Sequence, residues 1–357
     1  MKIEKITIEG YKSIKSLRDF ELKNINILIG ANGVGKSNFI SVFKMVNYML
    51  YKRLQEHTQD KGPDSFLYFG RKITNQILLD FAFGSNGYDV TLIPTQNNQL
   101  LIKREHVRFK GYNYINTIGS NMLESHLMEA PKYAYSQQIA QYTLDAIRSW
   151  KLYHFHDTGE TSPIKGVCQA NDNIIFKANA QNISAFLKRL KDGYLDYYEK
   201  IVSTIQDVAP FFGGFILRDS DYIQLEWYDK SDPDTPFKAH MLSDGTLRFI
   251  CLATLLLQPF ELMPDTIIID EPELGLHPFA INILSALIKR AAEKKQIIIS
   301  SQSVELINYF TPEDIIVVDR KNKETVFRRL KEEELGDWLQ DYTLGEIWKS
   351  NLIGGRP

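Results

Sequence analysis

The chain has 357 residues and only two cysteines, Cys168 and Cys251. Thiols so few and so far apart exclude a disulfide framework and a cysteine-built zinc site, and they fit a reduced, cytoplasmic setting. There is no surplus of charge. Lys and Arg number 42 against 44 Asp and Glu, a formal net charge of −2. No global basic field advertises nucleic acid, so only a local basic face could serve that purpose. Long apolar runs are missing too. The stretch from Phe249 to Leu257 stops at Gln258-Pro259, well short of the ~20 residues a membrane span needs, and no membrane partner is expected. The N-terminus lacks the apolar core of a signal peptide. Lys2 to Glu9 alternates as a strand does. No heptad pattern persists through residues 121–212, which excludes a long coiled coil.

What is present is organised around Gly30-Ala31-Asn32-Gly33-Val34-Gly35-Lys36-Ser37. This is G-x-x-x-x-G-K-S, the phosphate-binding loop pattern. Ile25 to Ile29 upstream reads as a buried strand, and Asn38 to Val46 downstream has apolar residues at helical spacing. A chance glycine turn explains the pattern poorly once strand and helix flank it. Gly30, Gly33 and Gly35 let backbone N–H groups curl round phosphate oxygens, and the helix N-terminus adds positive potential. Lys36 is expected to reach the β- and γ-phosphates and Ser37 to ligate Mg²⁺. Asn322-Lys323-Glu324-Thr325 ends in the wrong residue for an N-K-x-D guanine-reading motif, so ATP is the expected nucleotide.

A second motif completes the chemistry. Thr266-Ile267-Ile268-Ile269-Asp270-Glu271 is an apolar strand ending in two acids. A carboxylate at such a strand end can hold Mg²⁺ through water while the next one meets the attacking water. Asp270 takes the metal role and Glu271 the water-activating role. Two solvated acids at a strand end are the bland alternative, which the phosphate loop weakens.

Elsewhere the signals are coarser. Residues 1–29 read as two or three strands. Lys12 and Ser13 lie either near the nucleotide or on an exposed hairpin, and Tyr11 could stack on a base. The loop helix is expected to run to about Gln55, followed by a polar stretch to Ser65. Ile77–Phe83, Tyr88–Ile93 and Leu100–Ile102 read as antiparallel strands, with Asn86-Gly87 as a hairpin turn. Lys103 to Lys110 is basic and suits either a phosphate backbone or, with more weight, a charged strand edge. Helical spacing returns from Asn121 to Lys151 through Ile139, Tyr142, Leu144, Ile147 and Trp150. It continues over 182–190, with Asn182 as a cap, and over 197–208. The expected division is a lobe over 1–120, a helical insertion over 121–215 and a second lobe over 216–357. Tyr153-His154-Phe155-His156-Asp157 has the look of a metal-ligand cluster. No further Cys or His stands nearby, so packing, or a contact near the nucleotide, is the weightier reading.

Four motifs carry a family resemblance. Leu242-Ser243-Asp244-Gly245-Thr246 resembles the L-S-G-G-Q signature of ABC-type ATPases. Glu271 to Pro278, E-P-E-L-G-L-H-P, is similar to the D-loop of the SMC/RecF/OLD-like branch, and Asn32-Gly33 and Ser37-Asn38 resemble the phosphate loop of the same branch. Ser300-Ser301-Gln302-Ser303 stands where that family carries its switch residue. The resemblance implies an α/β P-loop NTPase fold. Its form is an ABC-type ATPase head with an antiparallel β layer and an inserted helical lobe. It implies ATP and Mg as cofactors, nucleotide contacts from Gly30, Asn32, Gly33, Gly35, Lys36, Ser37 and Asn38, and a homodimer that sandwiches ATP. Ser243 and the N–H of Gly245 would then bind the γ-phosphate held by the partner copy. Gln302 replaces the histidine of many relatives; its amide can donate to phosphate or water but cannot titrate. Glu271, Gln302 and Lys36 are the expected catalytic residues. Asp244 departs from the commoner glycine. The family's Q-loop glutamine has no firm counterpart, with Gln137 and Gln138 as candidates, and too little chain follows for a Toprim nuclease domain. Stand-alone ATPases of this kind resemble those of bacterial two-gene defence or toxin-like modules, in which an adjacent gene supplies an effector protein. The expected function is therefore an ATP-hydrolysing switch. A DNA-binding repair-type clamp, and an ATP-binding scaffold with negligible turnover, are the alternatives.

Overall fold

The apolar runs that read as strands share one property. Ile27–Ile29, Ile267–Ile269, Ile297–Ile299 and Ile315–Val318 are each buried throughout, as strands covered on both faces must be. A computed structural model describes residues 1–111, 113–133 and 137–355. Residues 134–136 of the expected helical stretch, and 356–357 of the last lobe, lie outside the described residues. The chain forms two units, 1–151 with 311–357, and 152–310.

The first unit holds an antiparallel sheet. Its strand order is Ile14–Glu21, Lys5–Tyr11, Ile77–Phe83, Asn86–Pro94, Leu100–Phe109 and Tyr114–Met122. Ile77–Phe83 alternates strictly in burial, so Phe81 and Phe83 share one face. Phe43 of the helix Lys36–Leu50 packs there at 6.1 Å from Phe81, and Trp150 at 5.0 Å from Phe81. Strand Ile25–Ile29 pairs in parallel with Ile315–Lys321, which turns back as the antiparallel Glu324–Arg329. Several sequence expectations shift. The helix after the phosphate loop ends at Leu50. Phe83 pairs with Asn86, so the turn is Gly84-Ser85, with Gly84 at φ 56°, and Asn86-Gly87 lies inside a strand. Residues 114–122 are strand, and helix Gln137–Arg148 buries Leu144 and Ile147 but exposes Tyr142.

In the second unit, strands Thr266–Asp270 and Gln296–Ser301 run parallel. Helix Asp244–Leu257 is apolar nearly all round and buried from Phe249 onward, as expected of a helix covered on every side. It packs on helices Ile183–Gly193, Leu195–Val208 and Pro278–Ala292. Pro278 takes the favoured first helical position. Asn182 does begin a helix, but its side chain does not cap it. The amide instead donates to Asp172 O and Ile175 O at 2.8 and 2.9 Å. Among the described residues no helix is long and apolar enough to cross a membrane.

Candidate functional site

In the first unit the phosphate loop is shaped by contacts that leave no room for side chains. A Cβ on Gly30 would lie 2.3 Å from Val318 O, and one on Gly35 would lie 2.3 Å from Thr325 Oγ1. Both glycines have positive φ, 155° and 122°, which other residues rarely adopt. Asn32 and Gly33 form the exposed crest. Lys36 is buried; its Nζ donates to Gly30 O and, at 3.0 Å, to Ala31 O. The ammonium thus lies back across its own loop. Ser37 is exposed in the first turn of the helix. Asn38 Nδ2 donates to Ser13 Oγ at 2.7 Å.

Thr325 was no sequence candidate, yet it buttresses this loop. Its hydroxyl donates to Val34 O at 2.6 Å and lies 2.7 Å from Ser13 Oγ, while its N–H donates to Ser13 O at 2.8 Å. The stretch that fails as a guanine-reading motif therefore supports the phosphate loop. Ser13 is brought beside the loop. Tyr11 is fully buried with its hydroxyl on Ser41 at 3.0 Å, so it cannot stack on a base.

In the second unit the acidic residues are fixed by the neighbouring strand. Asp270 pairs with Ser300 in register, and the Ser300 hydroxyl donates to Asp270 Oδ1. Glu271 has φ 43°, and its N–H donates to Ser300 O at 2.9 Å. The Gln302 side-chain amide donates to Glu271 Oε1. Glu273 Oε1 accepts from Ser301 Oγ at 2.7 Å and from Gln302 N at 3.1 Å. Among the described residues its Oε2 is buried without a hydrogen-bond partner. Burial pushes the Glu273 carboxyl above the usual range, against the Ser301 and Gln302 hydrogen bonds that pull it down, and the nearby Glu271 charge adds to the rise.

The helix Asp244–Leu257 opens at Ser243, whose Oγ accepts from Thr246 N at 3.2 Å, a standard N-cap. Asp244 is exposed in the first turn, where the helix dipole favours an acid. A Cβ on Gly245 would meet Gly275 O at 2.4 Å, so the first turn of this helix meets the turn at Gly275 backbone to backbone. Arg248, also no sequence candidate, donates from Nη1 to Leu274 O at 2.9 Å and from Nη2 to His156 O at 3.0 Å. His277 caps its helix by accepting from Phe279 N at 3.3 Å. It is a turn residue by geometry.

Other expectations fare differently. Lys103–Lys110 lies mostly on an interior strand of the sheet, not an edge. Arg108 is buried between Asp80 and Asp89, so it offers nothing to a phosphate backbone. His154 and His156 follow the short strand Trp150–Tyr153. Among the described residues no three His, Cys, Asp or Glu side chains group as metal ligands. Gln137 and Gln138 begin the helix Gln137–Arg148 in the first unit. In the first unit the backbone cradle at Gly30–Gly35 and the Ser37 hydroxyl, and in the second the Asp270 carboxylate, are each of the chemistry that phosphate or the hard cation Mg²⁺ takes.

Residues 129–308, just over half of the chain, match the family described as "AAA domain, putative AbiEii toxin, Type IV TA system". Solved structures share the fold along nearly the whole chain. One is described as an SmcHead bound to the C-winged helix domain of ScpA; it has 15% identity and a TM-score of 0.57, over 94% of this chain and 99% of that one. Another is an Smc head domain with an extended coiled coil bound to the C-terminal domain of ScpA derived from Pyrococcus furiosus. It has 13% identity and a TM-score of 0.53, over 95% of this chain and 98% of that one. No curated protein matches. The fold is that of SMC-type ATPase heads.

Proposed function

This chain belongs to the AAA-domain family of AbiEii type, and from that premise we propose that it is an ATP-hydrolysing switch that closes as a homodimer and controls a separate effector protein. The reading rests chiefly on one observation. The phosphate loop is built to admit only backbone at Gly30 and Gly35, while Glu271 is held by the Gln302 amide and the Ser300 carbonyl. Lys36 would leave the Gly30 and Ala31 carbonyls for the β- and γ-phosphates. Gly33, Asn32 and Asn38 line the approach. Mg²⁺, held by Ser37 and Asp270, would supply charge neutralisation on the phosphates. Glu271 orients a water and takes its proton as the oxygen attacks the γ-phosphorus and the bond to ADP breaks. Gln302 keeps the carboxylate aimed and can pass a hydrogen bond to phosphate or water.

Ser243 and Gly245 are assigned to the γ-phosphate of ATP on a second copy, where a helix N-terminus meets an anion. Exposed Met241, two residues before Ser243, and exposed Leu274 and Phe279, around the turn whose Gly275 carbonyl meets Gly245, supply apolar surface for that copy. The effector is expected from a neighbouring gene of a defence or toxin-like pair. Glu271→Gln tests the core of the reading. ATP binding should persist, phosphate release should fall by about 10²–10⁴-fold, and light scattering should show an ATP-bound dimer. Unchanged phosphate release would overturn it.

A further inference from the structure

In the first unit a segment remote in sequence is fastened against the phosphate loop. The helix Leu344–Lys349 has six residues, and an isolated helix under about 12 residues is marginal in water. Thr343 and Glu346 close a capping box at its start, and Leu344, Ile347 and Trp348 are buried. The backbone beyond it turns at Gly354 and Gly355, with φ of 75° and 60°. Two side chains latch that turn. Trp348 Nε1 donates to Gly355 O, and Arg328 Nη2 donates to Ile353 O at 2.8 Å.

The latched turn reaches the first glycine of the loop. Val317 pairs with Ile29, so the residues that follow them, Val318 and Gly30, stand side by side. A Cβ on Gly355 would lie 2.7 Å from Val317 Cγ1, 3.2 Å from Val318 O and 3.5 Å from Gly30 Cα. Val318 O is also the carbonyl that leaves Gly30 no room for a side chain. Three stretches of backbone thus meet at one carbonyl, and close packing passes a shift in one to the others. Closing the core does not explain the glycine pair, because Leu344, Ile347 and Trp348 already supply the apolar side chains. Gly30 is also where nucleotide acts on the loop. Its carbonyl accepts from Lys36 Nζ, the donor that the phosphates draw away. Once that donor leaves, the Gly30 peptide depends more on what packs against it, and Gly355 is part of that packing.

We infer that Gly354-Gly355, latched by Trp348 and Arg328, is a strut that positions Gly30 for the phosphates, so that ATP affinity and the docking of this turn are one coupled equilibrium. Gly355 and Trp348 are positioning residues that act through Gly30. The inference rests on the reading of Gly30–Ser37 as an ATP site. Linkage makes the coupling reciprocal: what the docked turn adds to ATP binding, ATP adds to docking. Equilibrium dialysis with ATPγS, steady-state phosphate release and amide hydrogen exchange on the full chain test it. Gly355→Ala should weaken ATPγS binding and raise KM about tenfold, or about 1.4 kcal/mol, with kcat unchanged because Asp270, Glu271 and Gln302 are untouched. Trp348→Phe keeps a ring and loses the N–H donor, so it should shift the same quantities the same way by less, and it carries the test should Gly355→Ala not fold. ATPγS should slow exchange at 353–355 in wild type and leave it unchanged in Lys36→Ala. Folded variants that melt lower yet bind ATPγS as wild type does would make the turn a piece of the core and overturn the strut. So would a fall in kcat with KM unchanged, or exchange at 353–355 that bound ATPγS does not slow. Wild type that binds no ATPγS would instead remove the ATP reading of the loop, and the strut with it.

Discussion

The phosphate loop and the acidic loop reach order by opposite routes. The first is fixed by what it lacks. Gly30 and Gly35 press against Val318 O and Thr325 Oγ1 where no side chain fits, and Lys36 is satisfied by the loop's own carbonyls. The second is fixed by what reaches in from elsewhere. Ser300, Ser301 and Gln302 of one strand end supply the donors for Asp270, Glu273 and Glu271. A loop held by absences is rigid before ligand arrives. A loop held by borrowed donors can exchange them, and among the described residues Glu273 Oε2 is buried without a hydrogen-bond partner.

The sharpest way to break this comparison is Lys36→Ala. Removing the loop's cation should abolish ATP binding and cut phosphate release by about 10²–10³-fold, the scale of one lost charge-stabilising donor. Set beside Glu271→Gln, which keeps binding, it separates grip from chemistry. Nucleotide dialysis and phosphate release on both variants would read the difference.

Glu273→Ala attacks the borrowed donors. Two buried groups, the Ser301 hydroxyl and Gln302 N–H, would lose their acceptor, at a cost of about 1–3 kcal/mol. Gln302 would no longer be anchored, so kcat should fall while the KM for ATP stays put. Denaturant unfolding and steady-state kinetics measure the two effects. If kcat and stability both hold, the strap between acidic loop and strand end is not functional.

The same residue gives a pH effect. Its carboxyl pKa is raised in the folded chain, so the folded state binds more protons than the unfolded one. Stability therefore falls as pH rises from the unfolded value of about 4.3 through the raised folded value. Glu273→Gln, which keeps an acceptor for Ser301, should flatten that part of the stability–pH curve. An unchanged slope would contradict it. The smallest expected effect is Ser243→Ala, which removes the N-cap bond to Thr246 N. It should cost about 1 kcal/mol, read by thermal melting.

How much of this was legible follows the same contrast. Gly30, Gly35, Lys36 and Ser37 could be read directly because their constraint is local; only glycine suits those backbone angles, whatever packs nearby. Asp270 and Glu271 were legible as acids at the end of an apolar run. Their partners Ser300 and Ser301 were not, because strand register is decided by packing far along the chain. Thr325 and Arg248 were missed for that reason. Arg248 acts through carbonyls of Leu274 and His156, and a carbonyl leaves no trace in residue type. Asn182 had the right identity for a cap, but its amide found carbonyls at 172 and 175 instead. Asn86-Gly87 read as a turn, yet the strand pairing of Phe83 with Asn86 moved the turn two residues earlier. Lys103–Lys110 read as a charged edge because nothing in the sequence announced the strand Tyr114–Met122 that covers it.

The Thr325 buttress also sets an order in time. The hydroxyl that steadies Val34 belongs to a residue 291 positions later in the chain. At the usual synthesis rate of about 5–20 residues per second, the ribosome delivers it roughly 15–60 s after the loop itself has emerged. A nascent chain would carry every glycine of the phosphate loop and still lack the strut beneath it. Nucleotide grip should therefore be acquired only once Thr325 has been made, which guards against copies that lack it engaging ATP or one another.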